Sequence, residues 1–417
     1  MIMINPKKQI NVLLVGYNGA NNTGSEARLQ VIIGELRDTF KGKVQITVPT
    51  LNERNLRRYL KEESDVKIEP IPPIFFSAIK RLVKESDLVL LVEGSCYMDT
   101  WTSALLWAFL YATRCAYNEG IPCVAYAVDS GKLSSFNRYL VKKEASKTDL
   151  IITRTERAAQ ELSKIGVTAP MKVTADCAFK FNPNKEDEDI LQKIWPEAGN
   201  KLVGLAAVDF SLWPVVIRPW GKKENLYRWP YYFSRSKSRH KKSDELARGW
   251  ARQADNIIEK YGHKIALICM EEVDEPLARD IQDKMENSKD ARILSSSNYN
   301  ASHITYILRS LNLLVTSRYH AGVLSLEAAV PQIALGHDTR LKGLYQELVI
   351  QEYLVDSFST DLWISLEQKV DDLISNPDKQ DEILKKGFKE HLSRTSMNPE
   401  LLKTFLKETG LAGKYDL

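Results

Sequence analysis

Leu313-Leu314-Val315-Thr316-Ser317-Arg318-Tyr319-His320-Ala321-Gly322 runs from an apolar strand into an apolar helix and sets a guanidinium and an imidazole together at the helix start. Free N–H groups and the positive end of the helix dipole favour an anion there. Imidazole is the side chain whose ordinary pKa lies nearest neutrality, so this is an anion site with a proton donor attached. A bound phosphate or carboxylate would favour imidazolium, and Arg318 and the dipole would oppose it. The plainer alternative is that His320 only caps the helix or sits in the core.

Three other loops carry comparable chemistry. Gly16-Tyr17-Asn18-Gly19-Ala20-Asn21-Asn22-Thr23-Gly24-Ser25-Glu26-Ala27 joins a strand to a helix, with glycines and asparagines that permit tight backbone and with Thr23 or Ser25 as a cap. Its spacing is neither the dinucleotide fingerprint nor a Walker loop. In Val92-Glu93-Gly94-Ser95-Cys96-Tyr97-Met98-Asp99 the glycine would bring backbone close to a bound group, and Glu93 or Asp99 could accept a proton or grip sugar hydroxyls. Asp99 could equally cap a helix. In Ile151-Ile152-Thr153-Arg154-Thr155-Glu156 an arginine stands one residue past an apolar strand, where it could fork onto a carboxylate or phosphate, or form a structural salt bridge.

All four motifs need strand ends to hold them. Short Val-, Ile- and Leu-rich runs at 10–16, 45–48, 87–92, 122–127, 149–153 and 171–174 alternate with segments of helical period such as Glu26–Phe40 and Ser103–Glu119. That is the pattern of a parallel sheet covered by helices on both faces. A polar stretch, Asn182–Lys201, precedes a second series: strands 202–208, 264–270, 291–294, 311–316 and 332–335, with helices 244–261, 274–287, 300–310 and 321–329 between them. The expected architecture is α/β, with two Rossmann-like domains facing a cleft: residues 1–198, residues 199–358, and a helical 359–417 that packs back on the first domain. Ligands of open α/β sheets bind beyond the carboxyl ends of the strands, where these loops lie.

The chain has 417 residues, 44% apolar and 27% charged, which excludes a disordered or fibrous protein. Its five cysteines are scattered with no CxxC pair, as expected of reduced core thiols. The longest apolar run, Ala104–Ala112, is too short to span a bilayer. The start runs into a strand without a signal-peptide cleavage region, so a cytoplasmic location is expected.

In this order the segments resemble the polysaccharide pyruvyl transferase family. Gly16-Tyr17-Asn18-Gly19 with Asn22-x-Gly24-Ser25-Glu26-Ala27 is similar to the family's opening pattern, and Val92–Asp99 to its glycine-rich loop ending in aspartate. Arg154, then Asp176-Cys177-Ala178-Phe179, then Arg318-Tyr319-His320 with Pro331 follow as the family's later signatures do. The resemblance implies a fold similar to the GT-B glycosyltransferases and transfer of an enolpyruvyl unit from phosphoenolpyruvate to a sugar of a cell-surface or exopolysaccharide glycan, giving a pyruvate ketal. It implies Arg154 and Arg318 clamping phosphoenolpyruvate from opposite domains, His320 as the acid, and Asp99, Glu93 or Asp176 taking hydroxyl protons. Tyr319, Asn22, Gly24, Glu26, Gly94, Ser95 and Arg340 complete the expected binding set. No metal or nucleotide cofactor is called for, phosphoenolpyruvate being a co-substrate. Ser25 stands where the family has aspartate, Val92-Glu93 where it has two glycines, and Arg340 where many relatives have lysine. A GT-B glycosyltransferase using a nucleotide sugar, or a carbohydrate-binding relative without catalysis, are the alternatives.

The formal net charge is +4, yet residues 211–243 hold nine basic residues against Glu224 alone, so the rest of the chain is net acidic. The same stretch holds seven aromatics, among them Trp213, Trp220 and Trp229. A solvated loop accounts for the charges but not the tryptophans. Stacking and phosphate contacts would also suit nucleic acid, which nothing else in the sequence supports. The expected partner of this irregular insert is a polyanionic glycan acceptor, which could be carried on a lipid diphosphate at an anionic membrane face.

Overall fold

The computed structural model describes residues 9–100, 102–210, 215–234, 236–336 and 339–415. The residues up to Lys8, Ser211, Trp213 and Arg235 lie outside these. Seven strands form the first sheet: β1 Ile10–Val15, β2 Val44–Thr50, β3 Val66–Pro70, β4 Leu88–Leu91, β5 Cys123–Val128, β6 Leu150–Thr153 and β7 Met171–Val173. Their order is β3-β2-β1-β4-β5-β6-β7, every pair parallel. β3 is an edge strand that the sequence pattern did not suggest, because its Val-Lys-Ile-Glu-Pro alternation ends in proline and only one side is paired.

The second sheet comprises β8 Leu202–Ala206, β12 Lys264–Cys269, β13 Ala291–Ser295, β14 Leu313–Thr316, β15 Gln332–Gly336 and β16 Leu354–Asp356, in the parallel order β13-β12-β8-β14-β15-β16. Strand order reverses between β1 and β4 in one domain and between β8 and β14 in the other. The loops leaving β1, β4 and β14 carry three of the four motifs, so each domain presents its switch point to the other.

The insert is not irregular. It folds as β9 Val215–Ile217, β10 Leu226–Arg228 and β11 Tyr231–Phe233, an antiparallel sheet in the order β10-β11-β9. Its basic tail, including Lys237, Arg239, Lys241 and Lys242, forms the opening turns of the helix Lys237–Tyr261. The sheet reaches across to the first domain. Tyr231 Oη donates to the Pro73 carbonyl at 2.9 Å, and the Arg228 guanidinium bonds the Leu51 carbonyl.

Residues 359–415 divide between the cores of the two domains. Leu362, Leu366, Val370 and Leu373, on the helix Leu362–Ser375, complete the second domain's core beside Trp250. Leu402, Phe405, Leu406, Leu411 and Tyr415 join the core of the first. Between them the helix Asp381–Thr395 sets His391 edge-on to Phe179 with ring centroids 4.5 Å apart. Burial, with Arg394 beside it, pushes the His391 imidazole down to about 4, from 6.5. The unfolded chain therefore binds the extra proton between those values. This group's contribution of about 3 kcal/mol is complete above pH 6.5 and lost as pH falls towards 4. His391→Gln is expected to flatten the acid limb of a Tm-against-pH curve over that interval.

Candidate active site

A cleft of about 440 Å³ lies between the domains, bounded by the Gly16–Gly24 loop, Glu93 and Ser95 on one side and by Glu271, Ser317–His320 and Arg340 on the other. The insert closes it above with Leu226, Tyr227, Tyr231 and Phe233. Apolar side chains of the first domain, Phe75, Leu105 and Phe109 among them, line a further part of the same space.

His320 stands on a helix of only seven residues, Tyr319–Ser325, with Arg318 itself in the cap position. So short a helix lends less dipole than the sequence pattern suggested. The stronger electrostatics come from below. His320 Nε2 is buried without a hydrogen bond, 3.4 Å from Asp176 Oδ2. Asp176 is fully enclosed: its Oδ1 accepts from Arg28 Nη1 at 2.7 Å and from the Ala178 amide at 2.9 Å, and its Oδ2 from Arg154. Burial disfavours its charge, but the two guanidiniums hold its carboxyl well below the usual range. Burial, then Arg154 and Arg28, lower the His320 pKa, and Asp176 pushes it the other way. The net direction is down, which favours the neutral ring. Its Nδ1 edge lies against Gly24, where a Cβ would come within 2.0 Å.

Arg318 is held in the cleft wall by Asp274, whose Oδ2 accepts from Nε at 2.9 Å, and by Glu271, whose Oε2 accepts from Nη1 at 3.1 Å. Glu271 also takes Asn22 Nδ2 at 3.1 Å and the Tyr17 hydroxyl at 3.2 Å, and the Tyr17 hydroxyl meets that of Tyr227 from the insert. Backbone bonds Thr23 N to Met270 O, 2.9 Å, and Glu272 N to Asn21 O, 3.3 Å, complete a seam joining both domains at the site. Sequence reasoning missed Glu271 and Asp274. Their signal was available: Met270-Glu271-Glu272-Val273-Asp274 follows a predicted strand, in the same place as the other motifs.

The structure corrects several expected positions. Arg154 does not face the cleft. It is enclosed by Asp129 and Asp176 and stacked 4.3 Å over the Tyr319 ring, where it backs Asp176 instead of reaching a ligand. Asp176 likewise lies beneath His320, outside the cleft lining. Gly94 leaves room for Arg154, whose Nη1 would sit 2.6 Å from a Cβ there. Asp99 Oδ2 accepts from the Ser134 amide (2.9 Å), the Ser134 hydroxyl (2.7 Å) and Asn137 Nδ2 (2.7 Å), which roots the helix Ser135–Ala145 and places the carboxylate outside the cleft lining. Glu26 is buried at the domain junction, accepting the Ala301 amide at 3.0 Å, and burial pushes it up to about 8. The cap of the first helix is Asn22, whose side chain accepts the Ser25 amide, not Thr23 or Ser25. Asn22, Gly24, Glu93, Ser95, Arg318, Tyr319, His320 and Arg340 do line the cleft. Among the described residues no group of three or more His, Cys, Asp or Glu side chains is placed to hold a metal.

The sequence model of polysaccharide pyruvyl transferases matches residues 22–339, which contain this site except the start of the first loop and Arg340. The chain belongs to the polysaccharide pyruvyl transferase family. No curated protein sequence matches it. Among solved structures, HepE from Anabaena in complex with UDP-glucose superposes with a TM-score of 0.60 at 14% identity, covering 96% of this chain and 99% of its own. UDP-GlcNAc 2-epimerase from Neisseria meningitidis, bound to UDP-GlcNAc, gives 0.60 at 12%, covering 95% and 100%. At that identity the likeness concerns the fold, which is the GT-B arrangement of two Rossmann-like domains. Within this pyruvyl transferase family member the two departures from the usual pattern are partners. Ser25 Oγ donates to Glu93 Oε2 at 3.1 Å, and Ser95 Oγ donates to Glu93 Oε1 at 3.1 Å. An aspartate at 25 would set a second carboxylate against Glu93. Serine supplies a donor to that carboxylate instead.

Proposed function

We propose that this protein transfers the enolpyruvyl unit of phosphoenolpyruvate to two hydroxyls of one sugar in a cell-surface or exopolysaccharide glycan, forming a pyruvate ketal. The observation that carries the reading is His320, held between buried Asp176 and the cleft, beside Arg318 and Arg340, in a chain of this family. Phosphoenolpyruvate brings a phosphate and a carboxylate for which Arg318 and Arg340 are the guanidiniums at hand beside His320. That negative charge raises the His320 pKa, converting a neutral ring into the acid the reaction needs. C3 of the enol takes one proton, two sugar oxygens bond to C2, and the bond from C2 to the phosphate oxygen breaks. Of the two hydroxyl protons, one balances the proton taken by C3 and the other leaves with inorganic phosphate. Glu93, oriented by Ser25 and Ser95, is the carboxylate in the cleft that suits the sugar hydroxyls. The apolar part of the cleft and the exposed Trp220 and Trp229 of the insert suit an acceptor carried on a lipid.

Thermal-shift titration tests the donor. Phosphoenolpyruvate is expected to raise Tm and UDP- or GDP-sugars to leave it unchanged; the reverse pattern favours nucleotide-sugar chemistry and overturns the proposal. With a competent acceptor, His320→Asn is expected to slow phosphate release by about 10²–10⁴-fold.

A further inference from the structure

The helix Ser135–Ala145 leaves a face that the fold does not use. Phe136 is 62% exposed and Tyr139 59%, three residues apart on one stripe, and Lys143 continues it. Arg138 and Lys142 flank the stripe and Lys132 precedes it, all exposed. Between Ser130 and Thr148 the single acid is Glu144, which is buried and paired with Arg114 and Lys147. Large aromatics on the outside of a helix, ringed by cations with no acid among them, are the composition of an interfacial membrane element.

Its position ties it to the cleft. The helices Phe76–Lys84, Ser103–Glu119 and Ser135–Ala145 follow β3, β4 and β5 and pack side by side in one layer, over the core that holds Leu82, Phe109 and Val141. Asp99, six residues beyond Glu93, anchors the start of the third, and Trp107 Nε1 of the second donates to its Asn137 at 2.8 Å. Leu105 and Phe109 of the same middle helix line the cleft. At the other edge of the layer stand exposed Ile74 and Phe76, next to Pro73, where the insert docks through Tyr231. Trp229 and Trp220 of the insert, with Lys222 and Lys223, extend the same composition onto the second domain.

We propose that the Phe136–Lys143 face of the helix Ser135–Ala145 docks on the surface of an anionic phospholipid bilayer, giving the first domain a membrane contact of its own beside that of the insert. Charge complementarity selects this occupant: four exposed cations and two exposed aromatics match anionic headgroups above an acyl boundary, and repel or fail to match a basic or neutral partner. The inference extends the reading of a lipid-carried acceptor, and it does not rest on phosphoenolpyruvate as donor.

Flotation of the full chain tests it with vesicles of phosphatidylcholine alone and of phosphatidylcholine with phosphatidylglycerol. Binding is expected on the mixed vesicles and not on the neutral ones. The triple change Arg138→Gln, Lys142→Gln, Lys143→Gln is expected to lower partitioning by about a hundredfold, and the pair Phe136→Ser, Tyr139→Ser to lower it again, both with Tm unchanged. Phe136→Trp is expected to add a blue-shifted emission component with mixed vesicles and none with a single-stranded oligonucleotide. Partitioning that ignores both sets of changes overturns the proposal, as does a preference for the oligonucleotide over the vesicles. Phosphate release from phosphoenolpyruvate with a detergent-dispersed acceptor reads the catalytic proposal separately: release that persists in variants that no longer float separates the two.

Discussion

Gly24→Ala slows turnover by orders of magnitude and leaves a folded protein: that is the expected result of adding one methyl group at the start of the first helix. Gly24 lies inside the helix Thr23–Thr39 and has no need of positive φ, so alanine suits the backbone better by about 1 kcal/mol. Sterically the change is severe. The new Cβ would lie 2.0 Å from His320 Nδ1 and 2.2 Å from its Cγ, and the ring is the only party free to yield, towards the cleft. Moved there, the imidazole leaves Asp176 and occupies the ligand's space, and misplacement of about 1 Å is enough to cost a hundredfold in rate. A fall in kcat of about 10²–10⁴-fold with Tm altered by only a few degrees would match this account. Unchanged kcat would show that the position of His320 does not govern the chemistry.

Asp176→Asn is expected to act on both stability and rate. Arg28 and Arg154 are buried and share this one carboxylate, with Asp129 as the other counter-charge for Arg154. Loss of its charge leaves two guanidiniums facing each other in a medium that cannot solvate them. Breaking a buried pair on one side costs about 3–5 kcal/mol, a Tm lower by roughly 3–6 °C in a chain of this size. The His320 ring loses its anionic neighbour in the same step, so its pKa falls further and the acid is harder to form. Thermal denaturation with a pH profile of phosphate release separates the two effects, because a purely structural role would lower Tm without moving the profile. A loss under about 1 kcal/mol would mean that the Arg28–Asp176–Arg154 cluster is solvated and contributes little.

The two cases show where legibility in the sequence stopped. Arg318-Tyr319-His320 and the Gly16 loop announced a site because each follows a parallel strand, and strand ends are where this architecture gathers polar groups. Arg154 and Asp99 follow strands as well, and neither lines the cleft. Local pattern places a side chain at the end of a strand without saying which carboxylate lies opposite it. Glu271 and Asp274 were overlooked for the converse reason: an acidic loop reads as solvated surface until the opposite domain supplies Asn22, Tyr17 and Tyr227. The insert was read as irregular because strands of three residues are too short to show a period of two.

By itself the sequence determined two parallel α/β sheets and the loops at their strand ends, because hydrophobic period and strand-end chemistry are local properties of the chain. The tertiary structure alone decided that Asp176 sits under His320, that Gly24 is small to admit that ring, that Ser25 donates to Glu93 across two loops, and that a basic aromatic insert roofs the cleft. Each of these is a contact between residues tens to hundreds of positions apart, and such contacts arise from how two domains pack, which no local period records.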